Sequence, residues 1–343
     1  MRCPSRNYRE LLLVALLLYY FTTRCKEKKR RIECEVCDGV RVYICRVKQD
    51  PAKYYVFLVI SMFFWGGYFV LTKHLLTDFN PITINFLRCV IASLVFVAFC
   101  VVVFKKGFII AKKDLKYFIG LAFFEPFIYF IFETYSLKFC DASVVSVIIA
   151  TIPLFVALMA VIIFKEKLSK LNFFGVFISI SGIIVMLFPT FSHADFRIFG
   201  ILLAFGAVFS TIGYNYFLKK IPTTYSPIVV ITWQNILGML AFFPLLFVVN
   251  DSETVALQYH ALGDTQNLSF LMLLSIFCST IAFILYISAM RTLGLARANI
   301  FVNLIPVMTA VIAFYILKEE ITLYKILGIA TVISGVFLVQ YKQ

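Results

Sequence analysis

The sequence predicts an all-α polytopic membrane protein, with ten transmembrane helices arranged as two inverted five-helix repeats. Three observations lead there. The 343 residues are 62% hydrophobic and only 15% charged, with a mean hydropathy of +0.94, whereas a soluble domain is nearer a quarter charged. Apolar stretches recur at the ~20 residues that ~30 Å of hydrocarbon requires. The second half of the chain also repeats the first.

The spans are read at 54–76, 84–104, 115–138, 143–164, 171–189, 197–219, 226–249, 268–289, 297–317 and 323–341. Their joints carry turn and cap residues such as Asn80-Pro81, Ile221-Pro222 and Ser226-Pro227. Orientation follows from lysine and arginine. With the first span starting inside, fourteen basic residues fall on inside ends and loops, among them Lys105, Lys112, Lys165, Lys219 and Arg291. Five fall outside: Lys73, Lys138, Arg197, Lys318 and Lys325. Both ends of the body are therefore expected in the cytoplasm of a cell (inner or plasma) membrane, with 250–267 as an acidic outside loop. The formal charge of +14 is mainly this topology signal, so no nucleic-acid partner is expected.

Residues 1–52 form a separate basic tail holding 12 of the 32 basic residues and five of the nine cysteines. Its apolar run 11–21 is short for a span. The single C-x-x-C of Cys34 and Cys37 lacks the second pair of a zinc site. The tail reads as a cytosolic segment against anionic lipid, or as a stretch that the native chain lacks. No metal or cofactor is expected.

The body then repeats. At an offset of 153, Pro153 meets Pro306, Lys165-Glu166 meets Lys318-Glu319, Gly175 meets Gly328, and Ile180-Ser181-Gly182 meets Ile333-Ser334-Gly335. At an offset of 146, Gly67-Tyr68 meets Gly213-Tyr214, Lys73 meets Lys219, and Pro81 meets Pro227. Two domains follow, 53–190 and 197–341. Five spans per unit is an odd number, so the second copy enters the membrane from the opposite side. Secondary transporters recurrently use such inverted repeats, with the substrate near mid-membrane between them.

The stretches "FFWGGYFVLTK", "FNPITINFLRCVIAS" and "YSLKFCDASVVSVIIATIPLFVALMAVIIFKEKLS" resemble those of EamA-type proteins of the drug/metabolite transporter superfamily. The resemblance covers residues 56 to 341 and both halves. It implies ten helices and a central cavity lined mainly by the first, third and fourth helices of each half. It also implies carriage of amino acids, other small metabolites or drugs, often outward.

The candidate site lies in the third span. An ionised carboxylate at mid-bilayer costs ~2.5–3.5 kcal/mol on insertion scales, yet Glu125 lies about ten residues in, near mid-membrane. Tyr129 and Glu133 follow at i+4 and i+8, so the three share one face, which must point away from lipid. Pro126 removes a backbone donor beside Glu125. Glu125 is tolerable if protonated or if it faces water in a cavity, which suits a proton carrier or a binder of a substrate amine. Arg88 lies at a depth similar to Glu133 and is expected to pair with it. Under the repeat Glu125 becomes Cys278, Glu133 becomes Tyr286 and Arg88 becomes Gln234, so the second copy folds without these charges. Trp65, Tyr214, Asn215, Asn299 and Asn303 are further polar or aromatic candidates, each weighed against a packing role.

The leading function is a secondary active exporter of small metabolites such as amino acids, its partners being that substrate and the bilayer. The alternatives are a membrane-embedded enzyme, a passive channel or scaffold, or a nucleotide-sugar or drug carrier. No phosphate-binding loop is present for ATP. The three histidines, His74, His193 and His260, sit near helix ends or in loops, which argues against intramembrane hydrolysis. Phosphate-bearing substrates would call for basic residues at cavity depth, where only Arg88 qualifies.

Overall fold

The computed structural model describes residues 51–104, 109–155, 170–188, 194–294, 298 and 301–340, with Ile32–Glu33 and Arg46–Val47. Cys34, Cys37, Lys165, Glu166 and Asn299 lie outside the described residues. The chain divides into 1–53 and 54–343. In the first unit, Ile32 and Glu33 pair antiparallel with Val47 and Arg46.

The second unit is helical. Its elements are α1 (Pro51–Leu75), α2 (Pro81–Phe104), α3 (Leu115–Ala122), α4 (Tyr129–Phe139) and α5 (Ala142–Ile149). There follow α6 (Lys170–Leu187), α7 (Ala194–Lys220), α8 (Pro227–Val249), α9 (Ser252–Leu262) and α10 (Thr265–Met272). The series ends with α11 (Ala282–Leu293), α12 (Ile305–Ile316) and α13 (Leu323–Gln340). Among the described residues, six helical stretches are long and apolar enough to cross a membrane: 52–75, 81–98, 115–139, 197–220, 227–249 and 265–293. Four shorter apolar helices accompany them, at 142–155, 174–186, 305–316 and 323–338. Phe63, Leu94, Phe177, Leu202, Leu240 and Phe247 point outward, each at least half exposed. Water would penalise such a belt and lipid does not, so the protein is a multi-pass membrane protein.

Local chemistry places the ends. Ser226 Oγ accepts the Val229 amide at 3.3 Å, ahead of Pro227 at the start of α8. Asn80 Oδ1 does the same for Ile82 at 3.2 Å before α2. Residues 250–267, expected as a loop, hold a helix: Asp251 caps α9 by accepting the Thr254 amide at 2.8 Å. Hydrogen bonds from Thr254 hold the Asp251 carboxyl below the usual aspartate range. Gly294, at φ 93°, ends α11 in a conformation that only glycine adopts without strain.

Three spans expected as continuous are interrupted. The third breaks between α3 and α4, across Phe123–Ile128. In the fourth, a turn at Ala150-Thr151 follows α5 before the helix resumes at Ile152. In the ninth, a turn at Asn303-Leu304 precedes α12. Between α10 and α11 the helix stays unbroken but widens across Leu273–Ile281.

α6 and α13 pack tightly, backbone against backbone. A methyl group on Gly182 would lie 2.7 Å from the Val332 amide, and one on Gly335 would collide with the Ser179 amide. A methyl on Gly328 would lie 2.9 Å from the Gly182 carbonyl, and one on Gly335 2.7 Å from that of Gly175. Small residues allow this approach in place of the hydrophobic drive that lipid cannot supply.

Candidate functional site

The break in the third span makes the site. Pro126 has no amide hydrogen to donate, and Glu125 is extended (φ −148°, ψ 118°) between two helical stretches. The Tyr129 amide reaches back five residues to the Phe124 carbonyl. That carbonyl also accepts Ser210 Oγ of α7 at 2.7 Å, so the irregular backbone is satisfied within the protein, as a bilayer demands. On the other side of the bundle, Ser61 Oγ of α1 donates to the Ala282 carbonyl at 2.9 Å.

Beside the break lies a cavity of about 110 Å³, room for several waters or a small metabolite. α1 contributes Trp65, Tyr68 and Phe69; the broken span contributes Glu125, Tyr129, Phe130 and Glu133. Ile149 and Ile152 flank the turn after α5, and Val302 and Ile305 flank the turn before α12. Thr211, Tyr214 and Asn215 come from α7, and Cys278, Ser279, Phe283 and Tyr286 from the widened segment and α11. The indole of Trp65 meets Phe283 edge-on, ring centres 4.8 Å apart, and Tyr286 at 5.0 Å.

Glu125 and Glu133 are both buried. The Tyr129 hydroxyl donates to Glu133 Oε1 at 2.8 Å, as their i, i+4 spacing allows. Glu133 Oε2, Trp65 Nε1, Tyr68 Oη and Ser279 Oγ are buried without a hydrogen-bond partner among the described residues, so the wall keeps unused hydrogen-bonding capacity. The expected Arg88–Glu133 ion pair is not formed. Arg88 is fully buried, and its guanidinium nitrogens have no hydrogen-bond partner among the described residues. Its guanidinium carbon sits 3.1 Å from the ring centre of Phe130 and 4.9 Å from that of Tyr68. Two aromatic faces hold the cation where a carboxylate was expected.

Polar contacts tie each end of the bundle. At one end, Lys73 Nζ donates to the carbonyls of Leu137 (2.6 Å) and Cys140 (2.9 Å). There Glu319 accepts the Ala142 amide at 2.8 Å and Ser143 Oγ at 2.6 Å, and Lys325 sits 3.0 Å from Asp141. At the other end, Tyr225 donates its hydroxyl to Asp114 at 2.8 Å, and its carbonyl accepts from Arg291 at 2.7 Å.

Of the residues singled out from the sequence, Glu125, Tyr129, Glu133, Trp65, Tyr214 and Asn215 line this one cavity. Asn303 is buried in the turn before α12 and is not part of the lining. Sequence reasoning did not count Tyr68, Cys278, Ser279, Phe283 or Tyr286 as cavity residues, although it matched Cys278 to Glu125 and Tyr286 to Glu133. The repeat held a usable signal, since Tyr68 is the counterpart of Tyr214, and Tyr286 that of Glu133.

The model of the EamA-like transporter family matches the chain twice, over residues 52–188 and 198–341. An uncharacterized transporter of Archaeoglobus fulgidus is 25% identical over 85% of this chain and 100% of its own length. The uncharacterized transporter YetK of Bacillus subtilis is 24% identical over 84% of this chain and 87% of its own. A protein of Escherichia coli K12 named as a probable amino-acid metabolite efflux pump is 22% identical over 82% and 93%. A crystal structure shares the fold with a TM-score of 0.59 at 15% identity, covering 84% of this chain and 98% of the other. The family and these relatives are transporters, not enzymes. With both halves matched and a cavity between apolar helices, this chain belongs to the EamA-like transporter family.

Proposed function

We propose that the protein is a secondary active exporter of small metabolites such as amino acids. It resides in the cell membrane with both ends of its body cytoplasmic. Its ten helices form two inverted repeats that alternate access to the cavity. Glu125 carries the coupling proton or the cationic group of the substrate, and Tyr129 and Glu133 extend the polar face toward the outside.

The observation that carries this reading is the pairing of the cavity wall under the sequence repeat. Trp65 pairs with Thr211, Tyr68 with Tyr214, Phe69 with Asn215, and Glu125 with Cys278. Phe130 pairs with Phe283, Glu133 with Tyr286, Ile149 with Val302, and Ile152 with Ile305. Only Tyr129 and Ser279 lack a mate in the wall. The same exchange maps the Gly182–Val332 contact onto Gly335–Ser179, and Gly182–Gly328 onto Gly335–Gly175. Such self-complementary contact is what a two-fold axis between the halves produces. The turns at 150–151 and 303–304 are also mates, and discontinuous helices at the repeat interface are a recurrent feature of transporter sites.

Counterflow in proteoliposomes tests the proposal: uptake should saturate and be accelerated by substrate inside. Glu125→Gln keeps size and hydrogen bonding, so it should fold normally. Loss of pH-gradient-driven accumulation with exchange retained assigns the proton to Glu125. A fall in exchange with weakened affinity assigns the substrate. Wild-type accumulation and affinity in this variant would reduce Glu125 to packing.

A further inference from the structure

We propose that the cavity selects a singly charged organic amine with an apolar body, and discriminates against ligands that carry an ionised carboxylate. The inference rests on the carrier reading above and, within small metabolites, sets amines ahead of the amino acids named there.

The charges of the wall lead to it. Glu125 and Glu133 both line the cavity, and among the described residues no lysine or arginine does. Glu133 Oε1 accepts from Tyr129, and Glu133 Oε2 is buried without a hydrogen-bond partner among the described residues. A balancing cation, Arg88, is fully buried and stacked on Phe130 and Tyr68. Among the described residues a ligand carboxylate therefore meets two carboxyl groups and no accessible cation. Arg88 offsets one of the two carboxyl groups, so at most one negative charge is left for a ligand, which a single ammonium neutralises.

The rest of the wall suits the remainder of such a ligand. Trp65 packs against Phe283 and Tyr286, ring centres 4.8 and 5.0 Å away, to form an aromatic corner. Ring faces attract an alkylammonium group, most strongly where water is excluded, and their bodies accept an apolar substituent. A zwitterionic amino acid gains the same ammonium contacts but must strip its carboxylate of water beside like charge, an arrangement that disfavours binding steeply.

Binding to the purified wild-type protein in lipid nanodiscs tests this, with three probes of one shape: phenethylamine, phenylalanine and phenylpropionate. The amine should bind about tenfold or more tighter than the zwitterion, and the anion should not compete. A xylylene diamine, with two charges, should bind more weakly than the monoamine. In Glu125→Gln the amine should lose about tenfold in affinity while the zwitterion changes less. Equal or tighter binding of phenylalanine, or a phenylpropionate affinity that falls in Arg88→Met, would overturn the proposal. Counterflow separates the two readings. Amine binding without counterflow would sink the carrier and leave the selectivity standing. Saturable counterflow confined to zwitterions would do the reverse.

Discussion

Gly66 and Gly67 sit side by side in α1, and replacing each with alanine should give opposite results. A methyl on Gly66 would lie 2.6 Å from Met308 Cβ and 3.1 Å from the Thr309 amide, whereas ordinary contact begins at 3.4 Å. α12 would have to retreat by roughly 0.8 Å (3.4 less 2.6). The Thr309 hydroxyl donates to the Gly66 carbonyl at 3.1 Å, and the same retreat would stretch that bond beyond useful length. Overpacking costs about 1–3 kcal/mol and the weakened hydrogen bond ~1 kcal/mol. A methyl on Gly67 meets only Ile312 Cδ1, at 3.8 Å. There alanine should be neutral or stabilising by ~0.5–1 kcal/mol through helix propensity. Heating the detergent-solubilised protein and following the folded fraction by fluorescence-detected size exclusion measures both. Gly66→Ala should melt several degrees lower, and Gly67→Ala at or above the wild type. Equal midpoints would refute the close approach of α1 and α12.

Pairing of the Arg88 guanidinium with rings predicts coupling of ~1–2 kcal/mol between Arg88→Met and Phe130→Leu in a double-mutant cycle; additivity there, with coupling to Glu133→Gln instead, would restore the ion pair. Gly238→Ala would drive a methyl into the Pro126 ring, so substrate affinity should fall even though Gly238 is not part of the cavity wall. Asp251→Ala should fray α9, raising amide exchange across Ser252–Leu262 without altering transport. For topology, a cysteine at the exposed Tyr259 should react with an impermeant maleimide in intact cells, and one at the exposed Ile109 only after permeabilisation; the reverse would undo the inverted arrangement.

Helical class and most span positions were legible because bilayer thickness imposes a length and a composition that a linear scan can read. The meeting of Tyr129 and Glu133 was legible for a similar reason, since helical spacing alone brings them together, whereas Glu125 reaches the same cavity across a break that spacing does not describe. Arg88 shows where this stops. Its depth could be read along α2, but depth leaves the direction around the helix undetermined, and Tyr68 and Phe130 compete for the guanidinium on terms no spacing reveals. Pro126 signalled a kink, but not that Glu125 would become extended, nor that Ser210 of α7 would meet the Phe124 carbonyl there. α9 escaped notice because an acidic stretch between spans resembles a loop until Asp251 and Asp264 are seen capping helices.

The cavity wall pairs position for position across the two halves, yet both of its carboxylates belong to one half. In a carrier built from identical halves, exchanging their shapes would return the same molecule upside down, and the two end states would be degenerate. Under the inverted-repeat proposal the exchange would carry the negative charge from one environment to another, lifting the degeneracy and giving the empty protein a preferred resting side. That bias would rest on four residues, Glu125 against Cys278 and Glu133 against Tyr286. Swapping the members of either pair would shift the resting population without adding or removing a single atom from the cavity as a whole.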